Sequence, residues 1–271
     1  MTTKSKTITA FAMMVLILTI TISGCKKDSP APTTTYQLKT KDQLGVYGTV
    51  TFTQLSSTST TIDIVLTGSD ATSHPAHIHV NSAVEGGAIA VSLSPVVNGK
   101  STTLVTALDN GTIINYNQLI AYDGYVNVHE SDINLGTIIA QGDIGGNALT
   151  GTSKTYTLDT VGGLGVSGTA LFEKRNNGNT LVSISLVGTI AGGSYPAAIH
   201  LGSVATVGGG PVVKTLTNVD GTTAKSYTNI RTLDAGTAVT YDNLMVYDGY
   251  IAIQQSATNS TILCQGNIGT H

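Results

Sequence analysis

The sequence has 271 residues, a formal net charge of −3 at pH 7, 31 glycines, no tryptophan and only 11% charged residues. This small negative charge excludes the strongly basic surface that nucleic-acid binding requires. No glycine-rich loop opens a helix, so the common nucleotide-binding motifs are excluded as well. Few charges combined with many glycines and β-branched residues are typical of a secreted all-β protein rather than of a helical enzyme.

Residues 1–24 have the pattern of a signal peptide. Lys4 and Lys6 supply its positive charge, and the apolar run 8–22 has signal-peptide length but is short for a membrane span. The run leads into the sequence ISGC, ending at Cys25, which resembles the bacterial lipobox. The resemblance implies cleavage before Cys25, its lipidation, and a membrane anchor in the bacterial cell envelope, at the outer membrane or the cell surface. The alternative is an ordinary signal peptide followed by an incidental cysteine.

Residues 25–35 are predicted to be the lipidated cysteine and a flexible tether, because they contain two prolines and a run of three threonines. If Cys25 is lipidated, Cys264 is the only thiol left, and no intramolecular disulfide is expected. Cys264 lies in an apolar, strand-like run, which indicates a buried apolar residue rather than a nucleophile.

The rest of the chain contains two copies of one unit. The sequence LGVYGT at 44–49 recurs as LGVSGT at 164–169, and YDGYV at 122–126 recurs as YDGYI at 247–251. The offset grows from 120 to 125 residues between these matches, as expected if small loop insertions separate matched strands. Two tandem domains are predicted, at 36–147 and 154–271.

Each repeat alternates between short strand-like segments and turn residues. One helical turn is predicted in each repeat, at 116–122 and at 241–247. This pattern predicts an all-β fold of two tandem antiparallel β-sandwich domains, Greek-key-like or partly closed into barrels. The strands predicted in the first repeat are Val46–Thr53, Thr60–Leu66, His77–Val80, Ala88–Leu93, Tyr125–His129 and Gly136–Gln141.

Short motifs recur in the same order through both repeats. The first repeat has HIH at 77–79, then a glycine-rich turn, an apolar strand, a helical turn, and GYVNVH at 124–129. The second repeat has IHLG at 199–202 and GPVV at 210–213. These motifs resemble the CHRD domain, first described in chordin and widespread in bacterial secreted proteins. The resemblance covers nearly all of both repeats and implies an extracellular β-sandwich of poorly defined activity, without a catalytic residue.

The sequence departs from that family in each repeat. In the first repeat, Asn81 stands where the family usually has a glycine. In the second repeat, Ala198 and Gln254 occupy the positions of His77 and His129.

Three histidines of the first repeat form the strongest candidate site. His77 and His79 share one face of a strand because they are two residues apart, and His129 ends a strand that could be its neighbour. The three imidazoles could converge on zinc or copper. The alternative is that they are half-buried sheet residues that form hydrogen bonds. Loss of two of them in the second repeat fits both interpretations.

Four tyrosines, in the two Tyr-Asp-Gly-Tyr motifs, are a further candidate ligand surface. They could present aromatic rings to a glycan, or they could pack over the core while their hydroxyls reach water. The residues are Tyr122, Tyr125, Tyr247 and Tyr250.

The leading functional hypothesis is a membrane-anchored, extracytoplasmic lipoprotein of two CHRD-like modules with a non-enzymatic role in binding, adhesion or envelope structure. Its partner would be an envelope protein or a glycan. The alternative is a metal-binding protein, or a metal-dependent enzyme similar to copper/zinc superoxide dismutases, that uses His77, His79 and His129. A dismutase needs further ligands, including a bridging histidine and an aspartate, so an enzyme is the less favoured class.

Overall fold

A computed structural model describes residues 29–271. The predicted signal peptide, residues 1–24, and the predicted lipidation site Cys25 lie outside the described residues. Within the described part of the chain, no helix has both the length and the apolar character needed to cross a membrane.

The first repeat folds into eight strands and one helical turn. These elements are β1 (Thr33–Thr40), β2 (Tyr47–Gln54), β3 (Thr60–Thr67), β4 (His74–Val80), β5 (Ile89–Val96), β6 (Lys100–Val105), α1 (Tyr116–Leu119), β7 (Asp123–Ser131) and β8 (Asn134–Gly145). The strands form one sheet in the order β5-β4-β7-β8-β1-β2-β3-β6. The two end strands, β5 and β6, are joined by a short turn that is closed by a bridge between Val97 and Lys100.

The second repeat has the same elements in the same order. They are β9 (Leu149–Thr160), β10 (Ser167–Arg175), β11 (Thr180–Val187), β12 (Ser194–Leu201), β13 (Val212–Asp220), β14 (Lys225–Ile230), α2 (Tyr241–Leu244), β15 (Asp248–Ser256) and β16 (Asn259–Gly269). The strands form a closed barrel in the order β10-β11-β14-β13-β12-β15-β16-β9. Matching strands therefore have the same neighbours in both repeats, except that β13 pairs with β14 whereas the matching strands β5 and β6 are the ends of the first sheet.

The predicted fold class is confirmed: both repeats are antiparallel β structures, each with one helical turn. In the first repeat, β1 pairs with β2 through residues 33–38 and with β8 through Lys39 and Thr40. One strand thus joins the two halves of a sandwich. The structure also adds strands that the sequence did not predict. Because β1 begins at Thr33, the last residues of the predicted tether belong to the sheet.

Alternating apolar residues give each repeat a core of its own. In the first repeat, Phe52, Ile62, Ile64, Ile78 and Val126 are almost completely buried in one cluster. Burying a side chain of this size stabilises the fold by about 1.5–3 kcal/mol relative to leaving it exposed. The corresponding cluster of the second repeat contains Phe172, Val182, Ile184, Ile199 and Ile251.

The helical turns α1 and α2 are short, and each begins with a capping box. Asn115 and Gln118 form a capping box at α1, in which each side chain accepts a hydrogen bond from the other residue's backbone N–H. Thr240 and Asn243 form the equivalent box at α2. Each turn buries a tyrosine and a leucine in the core of its repeat, and the chain then enters β7 or β15.

Strands β4 and β7 carry apolar residues on one face and polar residues on the other. Ala76 and Ile78 of β4 belong to the core cluster of the first repeat. Side chains alternate along a strand, so His77 and His79 point to the opposite, outer face.

Candidate metal centre

The structure brings His77, His79 and His129 together on the outer face of the first repeat. Strands β4 and β7 are antiparallel neighbours, with His77 opposite Asn127 and His79 opposite Tyr125. His129 lies two residues beyond Asn127, on the same face of β7. One ring nitrogen of each histidine lies within 4.8 Å of those of the other two.

Backbone carbonyls fix the orientation of two of these rings. The Nδ1 atom of His79 lies 2.9 Å from the Gly87 carbonyl oxygen, and that of His129 lies 2.6 Å from the Leu135 carbonyl oxygen. A carbonyl oxygen only accepts hydrogen bonds, so Nδ1 carries the proton in both rings and the neutral ring keeps its lone pair on Nε2. Metal-binding histidines are oriented in this way, by a hydrogen bond from the ring nitrogen that does not bind the metal.

Two ring nitrogens of the cluster are buried without a hydrogen-bond partner, namely His79 Nε2 and His77 Nδ1. Leaving such a group unpaired costs about 1–3 kcal/mol. The rings also contact one another edge to face, with the centroid of His77 5.7 Å from that of His79 and 5.1 Å from that of His129. A bound cation would satisfy these nitrogens and would replace the contacts between rings.

Burial favours the neutral form of His77 and of His129. It is the largest cause that lowers the pKa of His77, and the neighbouring His129 and His79 lower it further. Burial also lowers the pKa of His129, although the hydrogen bond to Leu135 acts in the opposite direction. Both rings are therefore neutral at neutral pH, which is the state that binds metal ions.

Two further side chains of β7, those of Tyr125 and Asn127, lie on the same face as the histidines. Asn127 was not among the site residues predicted from the sequence. Asn127 is only 3% exposed, and its Oδ1 atom is buried without a hydrogen-bond partner. Tyr125 stacks on His79, with ring centroids 4.9 Å apart and ring planes 17° apart. The available signal was the alternation of Tyr125, Asn127 and His129 along one strand, which places all three side chains on the same face.

The second repeat preserves one part of this arrangement and lacks the rest. His200 Nδ1 lies 2.7 Å from the Gly210 carbonyl oxygen, and the ring stacks on Tyr250 with centroids 4.9 Å apart. The other three positions of the cluster hold Ala198, Ala252 and Gln254. A cavity of about 380 Å³ lies on this face of the second repeat. The hydrogen bond from the histidine to a glycine carbonyl and the stacking on a tyrosine are therefore common to both repeats. The polar residues His77, Asn127 and His129 occur only in the first repeat.

The four tyrosines of the two Tyr-Asp-Gly-Tyr motifs pack against their own repeats. Tyr125 and Tyr250 are buried, at 6% and 5% exposure, under the stacked histidines. Tyr122 and Tyr247 are half-buried and pack against the two cores. The rings pack in this way because each Tyr-Asp-Gly-Tyr motif begins a central strand of its repeat instead of an exposed turn.

Cys264 is a core residue, as its sequence context predicts. It is fully buried, and burial raises the pKa of its thiol to about 11. A protonated, inaccessible thiol is a poor nucleophile.

The histidine cluster has the chemistry of a site for zinc or copper. Imidazole is a good ligand for both ions, and three protein ligands leave one coordination position open. Tetrahedral zinc with Zn–N bonds of about 2.0–2.1 Å places its ligand atoms about 3.3 Å apart. The nitrogens, at no more than 4.8 Å, would need to move closer by about 1.5 Å at most. Among residues 29–271, no other group of three or more histidine, cysteine and acidic side chains comes close enough together to hold a metal ion.

Comparison with known proteins identifies no relative: no family model, no curated protein and no solved structure matches this chain. The resemblance to the CHRD domain therefore stays a prediction from the sequence motifs.

Proposed function

We propose that the protein is a metal-binding lipoprotein of the cell envelope, in which two CHRD-like modules are anchored through Cys25. The first module binds one zinc or copper ion through His77, His79 and His129 in a non-enzymatic role. The observation that carries this proposal is the convergence of three imidazole nitrogens within 4.8 Å, with two rings oriented by backbone carbonyls.

The internal repeat supports metal binding over a purely structural role. Ala198 and Gln254 show that the same strand arrangement forms without imidazoles at these positions. Folding therefore does not require His77 and His129, and yet the first repeat leaves the buried Nδ1 atom of His77 without a partner, beside the unpaired Nε2 atom of His79. A bound metal ion supplies the missing partner.

Metal titration of the purified protein, freed of metal with a chelator, tests the proposal. We expect calorimetry to detect about one zinc or copper ion per chain, and we expect the melting temperature to rise when metal is added, because an ion that binds only the folded state stabilises it. The variant His129→Gln, which carries the residue of the second repeat, should bind at least about tenfold more weakly. No retained metal and no shift in melting temperature for the unsubstituted protein would rule out the proposal.

A further inference from the structure

The loop of residues 81–87 supplies the carbonyl group that orients His79. It forms most of the connection between β4 and β5, and the Gly87 carbonyl oxygen accepts the hydrogen bond from His79 Nδ1. A Cβ atom at Gly87 would lie 2.2 Å from the Val80 carbonyl oxygen, so the backbone packs too closely there for any other residue. The position of this loop therefore determines how His79 faces the cluster.

A buried ion pair joins the middle of this loop to the second repeat. The Ala83 N–H donates to Asp143 Oδ1 over 2.8 Å. The other carboxylate oxygen, Oδ2, lies 2.6 Å from the Arg175 guanidinium, at the end of β10. Arg175 is completely buried and also donates to the Asn147 carbonyl in the connection between the repeats. Arg175 of the second repeat and the backbone of the loop thus share the carboxylate of Asp143.

A second contact reaches the same loop from a different strand. Asn229, on β14 of the second repeat, donates from Nδ2 to Glu85 Oε2 over 2.9 Å. The same Glu85 oxygen accepts hydrogen bonds from the backbone N–H and the hydroxyl of Ser82. Glu85 therefore closes the loop on itself while it is held by the second repeat.

The second repeat holds its equivalent loop through a different side chain. Its equivalent loop donates from Val204 N–H to Asn267 Oδ1 over 2.8 Å, so a neutral amide replaces Asp143. A carboxylate is therefore not needed to hold the loop by its backbone. The position equivalent to Arg175 in the first repeat is Leu55, which is 63% exposed. The charge on Asp143 is explained by Arg175, and thus by the contact between the repeats.

We propose that the second repeat sets the metal affinity of the first by holding the loop 81–87, with Arg175 and Asn229 as positioning residues. This inference rests on the proposed function. Arg175 acts through Asp143, which also lies opposite Tyr125, the ring that stacks on His79. Asn229 acts through Glu85. Neither residue contacts the metal, and both restrict the loop that orients one ligand.

The test compares variants of the whole protein in which each contact is removed. Arg175→Met combined with Asp143→Asn removes the ion pair without leaving a lone buried charge and gives the loop the amide of the second repeat. Asn229→Ala removes the other contact. Lys174→Met is the matched control, because Lys174 forms its ion pair with Asp242 inside the second repeat. Copper affinity is measured by competition with a chelator, and the copper(II) electron paramagnetic resonance spectrum reports ligand orientation.

We expect each loop variant to bind copper about tenfold more weakly, the range found when groups that orient metal ligands are lost. We also expect a changed spectrum, whereas Lys174→Met keeps the affinity and the spectrum of the unsubstituted protein. Loop variants that melt at a lower temperature but keep affinity and spectrum would overturn this inference and leave the proposed function standing. Absence of both copper and zinc binding by the unsubstituted protein would overturn both. If the double variant does not fold, Asn229→Ala alone decides between these outcomes.

Discussion

His79 and His200 occupy the same position in the two repeats and have the same surroundings. Each ring forms a hydrogen bond with a glycine carbonyl and stacks on a tyrosine. This shared pattern fixes ring orientation in both repeats. His77 and His129 have no histidine counterpart, so the first repeat has three imidazoles at this place and the second repeat has one.

The pKa directions of these residues predict how metal binding responds to pH. Burial lowers the pKa of His77 and His129, so protons displace the metal only when the pH falls below the ordinary histidine value of 6.5. The stability of the metal-free protein changes with pH in the same direction as metal binding. Its unfolded chain binds these protons more readily than the folded state does, so this contribution to stability is present above pH 6.5 and is lost as the pH falls below it.

We therefore expect both zinc affinity and the melting temperature of the metal-free protein to fall between about pH 7 and about pH 5. Calorimetric titrations and melting curves across this range provide the measurement. The variant His129→Gln should show a smaller decrease in the melting temperature of the metal-free protein, because one titrating ring is absent. A zinc affinity that stays constant or rises on acidification would contradict the assignment.

At the scale of secondary structure, strands β4 and β12 differ at one position of the histidine cluster, which holds His77 in β4 and Ala198 in β12. Both have a histidine that is held by a glycine carbonyl, and both lie beside a strand that carries a tyrosine. On β12, however, Ala198 occupies the position of His77, and the cavity of about 380 Å³ is lined by His200, Tyr250 and Ala252. The second repeat thus has one oriented imidazole beside a cavity.

Placing the missing ligands in the second repeat should create a second site. The variant Ala198→His with Gln254→His adds two imidazoles beside His200, whose Nδ1 atom is already paired with a carbonyl. We expect zinc binding to rise from about one to about two ions per chain, because the site needs three imidazoles. The control, Ala198→Asn with Gln254→Asn, adds polar groups without imidazole. A folded histidine variant that still binds a single ion would show that these strands do not provide the geometry.

Local patterns predicted most of the strands and the pair of histidines on one strand, whereas contacts between distant residues depend on how the strands pair. Period-two alternation is a property of neighbouring residues, so the sequence indicates that His77 and His79 share a face. Pairing of β4 with β7 depends on the topology of the sheet, and this pairing is what makes Asn127 part of the site. The burial of Arg175 was not predictable either, because an arginine at the end of a strand is usually exposed.

At the scale of the whole described chain, the two repeats share their fold and differ in the polar residues that they carry. The first repeat carries the three histidines. The second repeat carries Arg175 and Asn229, which hold the loop beside one of them. The polar atoms that the first repeat buries without partners, at His77 and His79, are the cost that a bound metal ion would offset.

An anomalous difference map from crystals of the protein soaked with zinc would show directly whether His77, His79 and His129 bind a metal ion. We expect one strong peak between the three imidazoles, about 2.0–2.1 Å from Nε2 of His79 and of His129 and from a ring nitrogen of His77. A map with no peak at this position, or with zinc only at surface groups such as His271 and Asp248, would contradict this expectation.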